Sequence, residues 1–127
     1  MKRLTAEWVQ KAEEDYHVAV NTHRGGGRFH STVCFRCQQA VEKYLKALME
    51  ESGLNVPKTH DLFRLRTLLI PHYSRLPAPR GLRFLTPFAI ETRYPGERAR
   101  KRDAEAALRW AGKSRALARS LLGLSAT

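Results

Sequence analysis

Between residues 31 and 52, Cys34, Cys37, Val41, Tyr44, Leu45 and Leu48 recur every three or four positions, with no proline or glycine between them. That spacing follows one face of an α-helix, whereas a strand alternates with a period of two. Arg36, Gln39, Lys43, Lys46 and Glu50 fall on the opposite, polar stripe. Glu42 and Lys46 form an i,i+4 pair in the favourable order. A stripe of this width needs other apolar faces to leave water, and so predicts a packed helical domain.

The rest of the chain supplies those faces. A first helix is expected over residues 6–22, with Thr5 as its N-cap. Trp8, Val9, Ala12, Tyr16, Ala19 and Val20 lie on its inner face, and Glu7, Lys11 and Glu14 on its outer one. Gly25-Gly26-Gly27 ends it. Gly53 sits where a left-handed residue should close the second helix. A third helix is expected over residues 59–70, capped by Thr59, with Leu62, Leu65, Leu68 and Leu69 inward. Pro71 disrupts it, and Pro77-Ala78-Pro79 forms a stiff connector. A fourth spans residues 80–92 with Leu82, Leu85, Ala89 and Ile90 inward, and Pro87 should kink or interrupt it. Tyr94-Pro95-Gly96 reads as a turn. The last helix is expected over residues 102–122. Ala104, Ala107, Leu108, Ala111, Ala118, Leu121 and Leu122 face inward there, with Arg109 and Lys113 outside. The reading is all-α: an antiparallel up-down bundle of four to five helices forming one domain over residues 1–127.

Charge narrows the function classes. Sixteen Arg and seven Lys stand against 12 acidic residues, a formal net charge of +11. Such an excess favours an acidic partner, whether RNA, a nucleotide or an acidic protein. The alternative is a solvated surface with an Arg bias. Two Asn and three Gln are few, which fits a heat-adapted source, although that trend elsewhere favours Lys and Glu over Arg. Met1-Lys2-Arg3-Leu4 leads into a charged segment without an apolar signal region, and no apolar run approaches the roughly 20 residues of a membrane span. A cytoplasmic protein with no membrane contact is expected. Two cysteines exclude a disulfide framework.

Three motifs carry more information. They are Gln38-Gln39-Ala40-Val41-Glu42-Lys43-Tyr44-Leu45-Lys46-Ala47-Leu48, then Thr59-His60-Asp61-Leu62, then Arg93-Tyr94-Pro95. In this order and spacing the chain resembles the HEPN family over residues 8–122. The resemblance implies a small helical bundle that interacts with nucleotides or RNA. It also implies a separately encoded minimal nucleotidyltransferase as partner, in a toxin–antitoxin-like pair. Homo-oligomerisation, as a dimer or higher, is expected too, because Trp110, Phe84 and Phe88 exceed what a small bundle must bury. The candidate nucleotide-binding residues are Lys43, Lys46, His60, Asp61, Arg93 and Tyr94. Arg93 would clamp a phosphate, Lys43 or Lys46 would add charge, and Tyr94 would stack on a base. The alternative is structural: His60 and Asp61 cap the third helix and Arg93 pairs with Glu42.

Many proteins of that family are metal-independent ribonucleases with an Arg, four to six residues, then a His. Arg24 with His30 and Arg66 with His72 both match, and the abundance of Arg makes matches expected by chance. Arg24 and His30 straddle the glycines. Arg66 and His72 close the third helix and are followed by Tyr73, as in toxins whose Tyr near the His is modified by the partner enzyme. Arg66 and His72 are therefore the candidate catalytic pair, as charge stabiliser and as general acid or base. Pro71 before His72 and Thr67 after Arg66 depart from that pattern. A ribonuclease acting alone and a purely structural interaction bundle are the competing readings.

Cys34-Phe35-Arg36-Cys37 is a C-x-x-C with His30 one turn earlier. No strand precedes it and no fourth ligand is evident, so buried thiols are expected and neither metal nor cofactor is implied. Gly25-Gly26-Gly27 lacks the Lys-Ser/Thr of a phosphate loop.

Overall fold

The computed structural model describes residues 1–90, 95, 96 and 98–127. Five α-helices follow in chain order: α1 (Arg3–Arg24), α2 (His30–Glu51), α3 (Leu62–Leu69), α4 (Pro79–Leu85) and α5 (Lys101–Leu121). No strand occurs among the described residues.

α2 is the axis of the molecule. Thirteen of its 22 residues are buried, more than one face alone would supply, so it is covered on most sides. Its longest seam is with α1, the next with α5, and the short α3 and α4 cover the remainder. α1 and α2 run antiparallel, since Thr5 meets Glu51 while Asp15 meets Arg36. α5 runs the same way as α2: Ala99, just before it, bonds Ser31, and Arg119 near its end bonds Tyr44. This is the order of an up-down bundle whose third position is divided between α3 and α4. Tyr44, Leu45, Leu48, Met49, Leu62, Leu65, Leu69, Leu82 and Leu85 form the fully buried centre. Among the described residues, no buried side-chain N or O atom lacks a hydrogen-bond partner.

Element ends depart from expectation in informative ways. Thr5 does not cap α1. It is buried inside the helix and donates to Glu51 Oε1 at 2.9 Å, because α1 begins two residues earlier and crosses the end of α2 there. Thr59 does not cap α3 either. Asp61 does, accepting from the Phe63 and Arg64 amides, while Thr59 accepts from the Asp61 amide. Gly53 closes α2 at φ +75°, a left-handed conformation that side chains resist. Pro87 interrupts the fourth helix as expected, and the chain continues as a 3₁₀ turn, Thr86–Ala89. Ile90, expected inside, is 53% exposed because the helical register has been lost by then. The expected end of that helix at Thr92 lies outside the described residues.

The aromatics that suggest self-association in the sequence are accommodated within the chain. Phe88 is 8% exposed and meets Phe84 edge-to-face at 5.5 Å. Trp110 lies directly over Gly81, where a Cβ would sit 2.3 Å from Cε3. The large exposed apolar side chains are instead Met1, Leu4, Phe29, Ile70 and Ile90.

Candidate functional site

The polar residues of the longest motif face into the molecule. Gln38, Glu42 and Lys46 follow one another at four-residue intervals on α2, and all three are buried. Gln38 Nε2 donates to Glu42 Oε1 and to the His60 carbonyl, both at 3.1 Å. Lys46 Nζ lies 3.0 Å from Glu42 Oε2, and His60 Nδ1 lies 2.9 Å from Glu42 Oε1. Lys46 also stands 5.8 Å from the centre of the Trp8 ring. This joint fixes the start of α3 to the middle of α2, with Asp61 capping α3 beside it. Lys43 points elsewhere, to Asp15 Oδ2 at 2.5 Å, and Arg36 holds the other oxygen at 2.7 Å. Four of the six candidate nucleotide-binding residues are thus engaged inside the chain. Lys46 and His60 meet at Glu42, Asp61 is a cap, and Lys43 sits on the α1 side. Arg93 and Tyr94 lie outside the described residues.

The candidate catalytic pair closes α3. Arg66 Nε donates to the Pro77 carbonyl at 2.9 Å, tying α3 to the chain that leads into α4. His72 is exposed. The hydroxyl of Tyr73, partly buried, accepts from Ser52 Oγ at 2.9 Å and donates to the Leu48 carbonyl at 3.3 Å.

A second polar centre links three helices. Arg115 on α5 grips Glu13 on α1 through Nε at 2.6 Å and Nη2 at 2.7 Å, and Tyr44 on α2 donates to the same carboxylate. Burial alone would raise the Glu13 pKa, but bonds from Arg115 and Tyr44 and the Arg115 and Arg119 charges outweigh it and bring it down to about 2. Burial, and then the neighbouring Glu13, push the Tyr44 phenol up to about 12. Hydropathy alone does not reveal Asp15, Glu13 or Arg115, which look like surface charges on their own helices.

Cys34 and Cys37 are buried and not disulfide-bonded, and burial raises the Cys37 thiol well above its ordinary range. Among the described residues no cluster of three or more His, Cys, Asp or Glu could hold a metal ion.

The open, charged feature lies at the end of the bundle where α1 stops and α2 and α5 begin. His23, Gly26, Gly27, Arg28, His30, Lys101 and Glu105 line a cleft of about 480 Å³. The run Arg98-Ala99-Arg100-Lys101-Arg102 carries four cations in five residues. Its position is set by the Ala99 amide, which donates to Ser31 Oγ at 3.0 Å. Arg24, Arg28, Arg98, Arg100, Lys101 and Arg102 are all exposed. Glu105 is the acid among the lining residues. The Arg24 and His30 match falls here, on either side of the loop. The sequence signal for this cleft is the cationic run before α5, which no motif marks. Chemically, such an opening suits phosphate-bearing ligands.

The family model of the HEPN domain matches residues 5–121. The chain belongs to the HEPN family. This HEPN chain is similar to TT1696 from Thermus thermophilus, with 26% identity and a TM-score of 0.81 over 94% of this chain and 98% of that one. It is also similar to ST0689, an archaeal HEPN homologue, with 25% identity and a TM-score of 0.75 over 96% and 99%. No curated protein matches it. Among the described residues, no helix of this HEPN domain is long and apolar enough to cross a membrane.

Proposed function

We propose that this HEPN domain is a nucleotide- or RNA-interacting module that works, as a homodimer or larger assembly, with a separately encoded minimal nucleotidyltransferase in a toxin–antitoxin-like pair. One observation supports the binding half of this reading. Glu13, Asp15 and Glu42 are held by cations within the bundle, and Glu51, Asp61 and Asp103 satisfy backbone amides at helix ends. These six of the twelve acidic residues are engaged within the chain, while Arg24, Arg28, Arg98, Arg100, Lys101 and Arg102 are exposed, so much of the net charge of +11 is carried on the outside. The partner half rests on what the resemblance to the family implies.

Titration of the full chain with ATP and with a short single-stranded RNA over a salt series tests it. Binding that weakens steadily as salt rises is the expected result. Absence of binding to both overturns it. Cleavage of the RNA that is abolished by His72→Ala would instead make the chain a metal-independent ribonuclease. A small nucleotidyltransferase in the adjacent reading frame that co-elutes with the purified chain is the expected result for the partnership.

A further inference from the structure

An exposed aromatic residue adjoins the cleft at the loop end. Phe29 lies between Arg28 and His30, both of which line the cleft, and is 67% exposed, the most exposed large hydrophobic side chain described. Its ring rests against Gly27: a Cβ there would lie 3.1 Å from Phe29 Cδ2. The ring is therefore out of the core, next to a glycine that lines the opening. An exposed phenyl ring next to cations suits one class of ligand. Bases stack on it through their π-faces, whatever their identity, while cations hold the backbone. The cation supply also exceeds what a single nucleotide requires. Arg28 and Lys101 line the cleft, and Arg100 and Arg102 flank Lys101 on the run anchored by Ser31. Glu105, one turn beyond Lys101, offsets part of this charge inside the cleft, which leaves the surplus along the rim where a strand would pass.

We propose that this end of the bundle binds single-stranded nucleic acid, with Phe29 as the stacking platform for one base and Arg28 and Lys101 holding the adjacent phosphates. The inference rests on the reading of the chain as a module that engages nucleotides or RNA, and it names the ligand class and the site. A duplex is disfavoured because its base faces already stack on one another. The volume, about 480 Å³, fits one nucleotide with its neighbours outside.

The test is fluorescence anisotropy with the full chain and labelled oligonucleotides, with single-stranded RNA, single-stranded DNA, duplex and mononucleotide as separate arms. Wild type should bind single strands more tightly than duplex or mononucleotide, and any preference between RNA and DNA identifies the sugar. Phe29→Ala should weaken single-strand binding by roughly 5- to 150-fold, and Phe29→Trp should keep it. The ring is exposed, so a far-UV spectrum matching wild type is expected for both. Arg28→Ala with Lys101→Ala should lower the slope of log affinity against log salt by about 1.4. Arg64→Ala on α3 is the control for bulk charge. Single-strand binding that survives Phe29→Ala unchanged, with Arg64→Ala as damaging as the cleft substitutions, overturns this site while the broader function stands. Tighter binding of duplex or mononucleotide also overturns it. A wild-type chain that binds no nucleotide or nucleic acid sinks both readings.

Discussion

Asp15 shows how much a single residue depends on its neighbours. On α1 it reads as a surface acid, yet its side chain is 3% exposed and bridges Arg36 and Lys43. Asp15→Ala should destabilise the fold by about 1–3 kcal/mol, because two cations lose their partner although both retain some access to water. Urea unfolding of the variant against wild type measures this. Glu13 gives a pH dependence with a definite sign. Its folded pKa of about 2 lies below the ordinary value of 4.5, so the stability it contributes is complete above about 4.5 and is lost as pH falls towards 2. The size is about 1–2 kcal/mol once solvent screening of this partly exposed carboxylate is allowed for. Acid unfolding curves of wild type and Glu13→Gln should therefore differ near neutral pH and converge towards pH 2. Curves that stay parallel through that range would remove Glu13 as the cause.

At the scale of elements, Gly81 and Asp61 set opposite kinds of constraint. In an isolated helix alanine is favoured over glycine by roughly 1 kcal/mol. In α4 the same change places a methyl 2.3 Å from Trp110 Cε3, so α4 or the indole must move. Gly81→Ala is expected to destabilise by about 1–3 kcal/mol, the usual cost of overpacking, with a shifted Trp110 emission as the local signature. No change in thermal midpoint would show that the α4–α5 seam yields freely. Asp61 caps α3, as the structural alternative holds, and Thr59, expected as the cap, turns back to the Asp61 amide. Asp61→Ala should cost about 1 kcal/mol, and Asp61→Asn much less, read from denaturant midpoints.

For the whole molecule, the charge distribution and the exposed apolar groups matter more than the core. Trp110, Phe84 and Phe88 are satisfied within one chain, so the case for assembly rests on family membership and not on surplus aromatics. The expected outcome of light scattering at micromolar concentration is a mass above the 14.5 kDa of a single chain. A value of 14.5 kDa would end the proposal of a homo-oligomer. The tail takes part in the same architecture: Arg115 and Arg119 donate to the Ala126 and Ser125 carbonyls, so residues after α5 close over the Glu13 centre.

Local pattern by itself determined the helical class, the break at Pro87, the stop at Gly53 and the burial of Cys34 and Cys37. Each of these follows from interactions within one or two helical turns, where spacing translates directly into a face. The motifs also pointed to the family. Only the tertiary structure decided what the polar members of those motifs do. Lys46 has the spacing of a solvated cation and is buried on Glu42, and Glu13 finds Arg115 across 102 positions of chain. The Glu42–Lys46 pair itself is legible as an i,i+4 spacing, but its burial and the Glu13–Arg115 pairing depend on the rotation and register of one helix against another, set by how all the apolar faces close together. A local pattern carries no record of that register. The cationic run before α5 was visible as composition, but its place beside Phe29 and the glycine loop came from the Ala99–Ser31 bond, which joins residues 68 positions apart.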